Sequence, residues 1–174
     1  MTINHLIRSV AALVMTAGLA GCVTGPLPPQ VTAYSADRPA FVRSNPPKTC
    51  VPFARENSTI AIYGDAYTWW DQAEGRYPRD SRPSSGAVMV LYGYAGPKRG
   101  HLAVVRRIVS DREIRVDHAN WLSDGNIHLN SPVIDVSPGN DWSQVRVWNN
   151  RDGHLGGRTY HARGFIAPMR IASL

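Results

Sequence analysis

The chain has 174 residues and a formal net charge of +6, and 43% of its residues are hydrophobic. That length suits one domain with a substantial core. The positive charge suits binding to an anionic polymer, but it also suits solubility alone. Two cysteines are too few for a disulfide framework. The sequence has no basic run interleaved with aromatic residues, so we expect no nucleic-acid binding.

The N-terminus has the pattern of a secretory signal peptide. Arg8 precedes the apolar stretch Val10–Ala20, which is short for a membrane-spanning helix. The Leu-Ala-Gly before Cys22 resembles a bacterial lipobox, which implies a lipoprotein signal peptide at 1–21 and a lipid anchor at Cys22. Val23 then favours the periplasmic face of the outer membrane. The alternative is an ordinary secretory signal followed by a chance cysteine.

A proline-rich segment follows. Residues 22–48 show neither helical nor strand periodicity and end in Asn-Pro-Pro, so they predict an extended tether. We expect a single domain over 49–170.

The first part of this domain is predicted to be helical and the rest to be strands. Cys50–Ser58 follows a possible N-cap at Thr49, and Asp65–Gly75 has apolar residues at helical spacing. Strands are predicted at 87–92, 101–109, 113–121, 132–136, 144–149 and 163–167. Two helices followed by five or six strands predict an α+β fold in which N-terminal helices pack on an antiparallel sheet.

Cys50 is a candidate nucleophile. If Cys22 carries lipid, Cys50 has no intramolecular partner in an oxidising compartment, where unpaired thiols are uncommon. Its predicted position at a helix N-terminus, near an imidazolium, is expected to lower the pKa of the thiol. The alternative is a buried cysteine that acts as a small hydrophobic residue.

Two histidines and an asparagine are candidates for the rest of the site. Alternation along 113–121 puts His118 and Asn120 on the core-directed face and Asp117 on the solvated face. A short turn makes 101–109 the hairpin partner of this strand, which brings His101 near the level of His118 and Asn120. His101 would be the base, and His118 or Asn120 would orient its ring. His128, His154 and His161 are predicted to be surface residues.

Six motifs of this sequence resemble those of the CHAP domain in order and approximate spacing. They are TCVPFARENS, GDAYTWW, SSGAVMVLY, GHLAVV, VDHANW and VRVWN. The resemblance implies a papain-like cysteine amidohydrolase or peptidase that cuts the peptide part of bacterial cell walls. It implies that Cys50 is the nucleophile and His101 the base. His118 stands where most members carry Glu, and in this departure it resembles the third-residue His of the related NlpC-type peptidases. Asn120 matches a family Asn.

The expected activity is therefore peptidoglycan hydrolysis, as an N-acetylmuramoyl-L-alanine amidase or an endopeptidase, with no cofactor and no metal. Peptidoglycan, the membrane and a protein regulator are the expected partners of a monomer. A zinc site made of Cys50, His101 and His118 is one alternative, although close ligand pairs are missing. A catalytically silent, lipid-anchored peptidoglycan-binding or scaffold module is the other.

Overall fold

The computed structural model describes residues 38–169, and most of their regular structure is β-strand. The predicted signal peptide, Cys22 and the tether up to residue 37 lie outside the described residues. The helical elements are α1 (Cys50–Asn57), a 3-10 turn (Ala66–Thr68) and α2 (Trp69–Gln72). The strands are β1 (Ala40–Val42), β2 (Arg79–Asp80), β3 (Val88–Tyr92), β4 (His101–Ile108), β5 (Glu113–Ala119), β6 (Ile127–Asp135), β7 (Gln144–Asn149), β8 (His154–Leu155) and β9 (Tyr160–Ile166). Within the described part, no helix has the length and apolar character needed to cross a membrane.

Six of the strands form a closed antiparallel barrel. In order, β3 pairs with β4, β4 with β5, β5 with β6, β6 with β7 and β7 with β9, and β9 returns to β3. The three short strands extend this barrel, since β1 pairs with β6, β2 with β9 and β8 with β7.

The predicted α+β fold, with papain-like helices packed on an antiparallel sheet, is therefore wrong. Strand periodicity identifies single strands, but closure depends on β9 pairing with both β3 and β7, which are far from each other in sequence. The helical share is also smaller than predicted. The segment predicted as a helix at 65–75 contains only a 3-10 turn and the four residues of α2.

The barrel wall separates two hydrophobic clusters. Inside the barrel, Met89 and Leu91 of β3 pack with Val105, Val116 and other inward side chains. On the outside, Val88 and Val90 pack against α1, α2 and the 3-10 turn. Because both faces of β3 are covered, its sequence is a continuous apolar run rather than an alternating one.

Helix α1 lies on the outer surface of the barrel wall. It buries Phe53 and Ala54 in the outer cluster, together with Leu102 and Val104 of β4. This packing holds the first residue of the helix, Cys50, beside the beginning of β4. The amphipathic face of α1 thus determines where the thiol lies.

Candidate active site

Cys50 is half-buried at the first position of α1, beside the N-terminus of β4. Burial raises the pKa of its thiol above the ordinary value, and hydrogen bonds from backbone N–H groups, that of Leu102 foremost, only partly oppose this effect. The Arg99 guanidinium also lowers the pKa, but less. The expected lowered thiol pKa is therefore wrong, because desolvation outweighs the helix terminus. The resting Cys50 is a neutral thiol.

His101 and His118 form a hydrogen-bonded pair. Nε2 of His101, the first residue of β4, lies 2.9 Å from Nδ1 of His118 on β5. The two rings meet edge to face, with centroids 5.1 Å apart. Because His118 occupies Nε2 of His101, Nδ1 is the nitrogen of His101 left for exchange with a thiol.

Both imidazoles are buried and neutral at rest. His101 is 3% exposed and His118 is fully buried. Burial lowers the pKa of His101 to about 3, with a smaller contribution from His128. Burial, then the neighbouring His101 and His128, lowers the pKa of His118 well below its usual value. The barrel interior therefore excludes an imidazolium from the resting site.

Asn120 lies beyond the end of β5 and does not bond to His101. Its backbone has a φ of 60°, so the strand alternation that predicts a common face with His118 ends before it. Its Oδ1 accepts a hydrogen bond of 2.8 Å from the N–H of Gly125. The side-chain group of Asn120 that remains available to a ligand is the amide nitrogen, a donor.

A cleft of about 300 Å³ brings three of the four predicted site residues together. Cys50, His101 and Asn120 line it, and His118 lies behind His101 in the barrel interior. The other residues that line it are Thr49, Val51, Asp65, Ala66, Tyr67, Tyr94, Lys98, Arg99, Gly100 and Ser123. Two cations, Lys98 and Arg99, stand on one segment of the rim and one carboxylate, Asp65, on another.

An aromatic group surrounds the histidine pair. Trp121, 3% exposed, lies 4.8 Å from the His101 ring and 5.3 Å from the His118 ring. Tyr94 lies 5.3 Å from His101, and its hydroxyl donates to the Trp121 carbonyl. Tyr160 packs against both Trp121 and Tyr94. These rings fix the imidazoles and exclude water from them.

Two polar residues behind His118 were not predicted. Nε2 of His118 lies 3.3 Å from Oγ of Ser131, a fully buried residue of β6. Nδ2 of Asn150 lies 3.3 Å from the same Oγ and donates to the Ala40 carbonyl at 2.8 Å. The sequence carries no signal for Ser131, because Asn-Ser-Pro at 130–132 resembles a turn and not a buried strand.

Other predicted positions can be compared with the structure. Asp117 faces away from the histidines, as strand alternation predicts. It accepts hydrogen bonds of 2.7 Å from Arg106 and from the N–H of Asn130. His154 and His161 are exposed, as predicted. The prediction that His128 is a surface residue is wrong. It is 1% exposed, its ring lies 5.3 Å from that of His118, and its Nε2 lies 3.3 Å from Asp124.

The described residues hold no group of three or more His, Cys, Asp or Glu side chains arranged to bind a metal ion. The histidine nitrogens that a zinc ion would need are partly used within the pair, since His101 and His118 bond to each other.

Comparison with known proteins gives one match. Residues 42–120 match the family model of the CHAP domain, which spans Cys50, His101, His118 and Asn120. The resemblance that the sequence motifs indicated is thereby confirmed over residues 42–120. This family is one of peptidoglycan hydrolases and amidases, and it is associated with cysteine peptidase or amidase activity. No curated protein and no solved structure matches the chain.

Proposed function

We propose that this protein hydrolyses an amide bond in the peptide part of peptidoglycan, with Cys50 as the nucleophile and His101 as the general base. The observation that carries the proposal is the shared cleft. It places a thiol at a helix start, an imidazole and an amide donor around one space, and a second imidazole holds the first by a 2.9 Å bond. These are the parts that thiol-dependent acyl transfer needs.

The first half of the reaction acylates the thiol. Sγ of Cys50 attacks the amide carbonyl while its proton passes to Nδ1 of His101. Because burial keeps the resting thiol protonated and the resting imidazole neutral, this proton moves during the attack rather than before it. The C–N bond then breaks, and the imidazolium returns the proton to the leaving amine. The product is a thioester on Cys50.

The second half returns the enzyme to its resting state. A water molecule gives a proton to Nδ1 of His101 and attacks the thioester, the C–S bond breaks, and the proton returns to the sulfur. The oxyanion of each tetrahedral intermediate needs donors. The backbone N–H of Cys50 is one candidate, since the first N–H groups of a helix have no intrahelical partner. The amide nitrogen of Asn120 is the second, since its Oδ1 is already bound to Gly125.

The charges of the cleft suit a peptide with free charged groups. Lys98 and Arg99 are exposed and form no ion pair with a described residue, and Asp65, which lines the same cleft, is likewise exposed. Such an arrangement favours a ligand with carboxylates near the two cations and an ammonium group near Asp65. Both the bond between muramic acid and L-Ala and the bonds within the stem or cross-bridge fit this description.

The location of the protein belongs to the same proposal. We propose that Cys22 carries lipid and anchors the chain at the periplasmic face of the outer membrane, through a tether that ends before β1. The support is the sequence pattern of residues 1–23. An anchored wall hydrolase needs restraint, which a protein regulator or the reach of the tether would supply.

The test is digestion of purified peptidoglycan by the full chain, with mass spectrometry of the released fragments. We expect soluble fragments from the wild type and none from Cys50→Ser, and the new ends identify the bond. His154→Gln, which changes an exposed histidine, is the matched control and should digest as well as the wild type. Binding to the wall with no release of fragments would replace this proposal with a binding module.

A further inference from the structure

We propose that a second cavity, beside the catalytic cleft, binds a carboxylate of the wall peptide through Arg43 and Arg151 and thereby favours acidic peptides as substrates. This inference rests on the proposed function, in which that peptide is the substrate of Cys50. The cavity has a volume of about 220 Å³. This is smaller than the roughly 300–1,000 Å³ of a site that encloses a whole ligand, so it would hold one part of the peptide. We call it the flanking cavity, and it is lined by Phe41, Arg43, Asp124, Asn126, His128 and Arg151.

A single turn separates the flanking cavity from the catalytic cleft. Ser123 lines the catalytic cleft, and the next residue, Asp124, lines the flanking cavity. Consecutive Cα atoms are about 3.8 Å apart, so a peptide held at the thiol has only this turn to cross before it reaches the second space. The N–H of Asn120 donates to the carbonyl of Asn126 at 2.8 Å, which closes the base of the turn. One extended peptide can therefore occupy both spaces.

The two arginines of the flanking cavity have hydrogen-bond donors that the fold does not use. Arg43 is exposed, and its side chain forms no ion pair or hydrogen bond within residues 38–169. The Arg151 guanidinium is 63% exposed and lies 3.9 Å from Oδ2 of Asp124, which is too far for a hydrogen bond. A guanidinium presents its N–H groups as a fork that matches the two oxygens of a carboxylate. Both arginines are thus available to an anionic ligand.

The backbone brings these two arginines to one opening. Arg43 directly follows β1, and Arg151 lies in the turn after β7. Nδ2 of Asn150 donates to the carbonyl of Ala40 at 2.8 Å, which ties this turn to β1. The N–H of Arg151 donates to Oδ1 of Asn149 at 2.9 Å, which fixes the turn itself. Because the backbone is already in place, a ligand would have to order only the two side chains.

Asp124 leaves the charge of the flanking cavity positive. Its Oδ1 accepts from the N–H of Asn126 at 3.0 Å and lies 3.3 Å from Nε2 of His128. An ionised carboxylate only accepts hydrogen bonds, so Nε2 of His128 carries the proton of this contact. The Asp124 carboxylate is therefore bound to its own turn and to the histidine. Two guanidinium charges stand against this one negative charge.

Phe41 gives the flanking cavity an apolar wall. Its side chain is 49% exposed, and its ring lies 6.4 Å from the ring of the buried His128. The methylene groups of an acidic residue can pack on this ring while the carboxylate meets the arginines. The combination of an aromatic wall and two cations suits an acidic amino acid better than an inorganic anion.

The direct test measures peptide binding by isothermal titration calorimetry, with the full chain carrying Cys50→Ser so that nothing is cleaved. The probes are a soluble stem peptide with free carboxylates and the same peptide with its carboxylates amidated. We expect the acidic peptide to bind more tightly. The double variant Arg43→Gln with Arg151→Gln should lower this preference by about 5-fold, which corresponds to about 1 kcal/mol from exposed charge pairs. Arg82→Gln, which changes an exposed arginine outside both cavities, is the matched control and should keep the preference.

The outcomes separate this inference from its alternatives. A preference that is unchanged in the double variant would overturn it and assign the preference to Lys98 and Arg99 of the catalytic cleft. Absence of binding by either peptide would overturn it as well. If the double variant instead lost binding to phosphatidylglycerol vesicles and kept its peptide preference, the two arginines would belong to a lipid-binding surface.

Hydrolysis gives a second readout. In the chain with an intact Cys50, the double variant should raise KM for the acidic peptide and leave kcat unchanged, because the flanking cavity lies away from the reacting bond. A lower kcat with unchanged KM would contradict a binding role. The calorimetric test needs no turnover. A chain that prefers the acidic peptide through Arg43 and Arg151 but releases no fragments from the wall would therefore refute the proposed reaction and not this binding site.

Discussion

Mild acid should destabilise this protein through its two buried histidines, at a pH where most carboxylates remain ionised. Burial lowers the pKa of His101 to about 3 and that of His118 well below its usual value. The unfolded chain takes up these protons near pH 6.5, and the folded chain does not. The stability that the neutral rings contribute is therefore complete above pH 6.5 and is lost as the pH falls towards the folded pKa.

The size of this effect follows from the linkage relation. At pH 5, an unfolded histidine is about 1.5 pH units below its pKa, which corresponds to about 2 kcal/mol for each ring that stays neutral in the fold. His101, whose folded pKa is about 3, should therefore lower the free energy of unfolding by about 2 kcal/mol between pH 7.5 and pH 5, and His118 should add to this loss. Against a typical total of about 5–15 kcal/mol, this is a large share.

Urea unfolding of the wild type, His118→Gln and His154→Gln at the two pH values measures this effect. His118→Gln should be less stable at pH 7.5, but its further loss of stability on going to pH 5 should be smaller than the wild-type loss. His154→Gln should keep the full wild-type loss, because His154 is exposed. An unchanged pH dependence in His118→Gln would refute the assignment of His118 as a neutral buried ring.

Two further predictions concern the thiol and the turn before His101. Because burial raises the pKa of Cys50, alkylation of Cys50 by iodoacetamide should still accelerate as the pH rises towards 9. Arg99 lowers this pKa, so Arg99→Gln should move the pH profile of alkylation to higher pH. An alkylation rate that is already at its plateau at pH 6 would show a preformed thiolate. Gly100→Ala should destabilise the fold by about 1–3 kcal/mol, since a Cβ at Gly100 would lie 2.6 Å from the backbone nitrogen of Tyr67. Thermal unfolding measures this effect, with Gly157→Ala, which has open space around it, as the control. Equal unfolding temperatures of the two variants would contradict this packing.

The sequence predicted several elements closely. The start of α1 and the strands β3, β4 and β7 lie within one or two residues of their predicted limits. In these segments the apolar pattern and the flanking turn residues indicate the same element with the same limits. The first half of β6 was not predicted, because Asn-Ser-Pro at 130–132 resembles a turn. In the barrel, Asn130 adopts a φ of 50° within the strand, and its N–H bonds to the Asp117 side chain.

Closure of the barrel could not be predicted from such local patterns. It depends on pairings between strands far apart in sequence, of which β9 with β3 is the decisive one. In the candidate site, too, local patterns predict some positions and miss those that depend on strand pairing. Strand alternation correctly brings His118 close to His101. Asn120 lines the cleft but leaves the face that it would share with His118, because its backbone leaves the strand with a positive φ. Ser131, which contacts Nε2 of His118, lies on β6, and Asn150, which bonds to Ser131, lies after β7. The approach of both residues depends on the closed barrel.

The closed barrel also explains why an imidazole suits position 118. The side chain there is fully buried among Trp121, Ser131, His101 and His128, and none of these groups is a fixed cation. A carboxylate in the same place would lose its hydration without an opposite charge to replace it, which is costly. A neutral imidazole avoids this cost but gives up the fixed acceptor that a carboxylate supplies. The imidazole at position 118 therefore keeps hydrogen bonds to His101 and to Ser131 without placing a charge in the barrel interior.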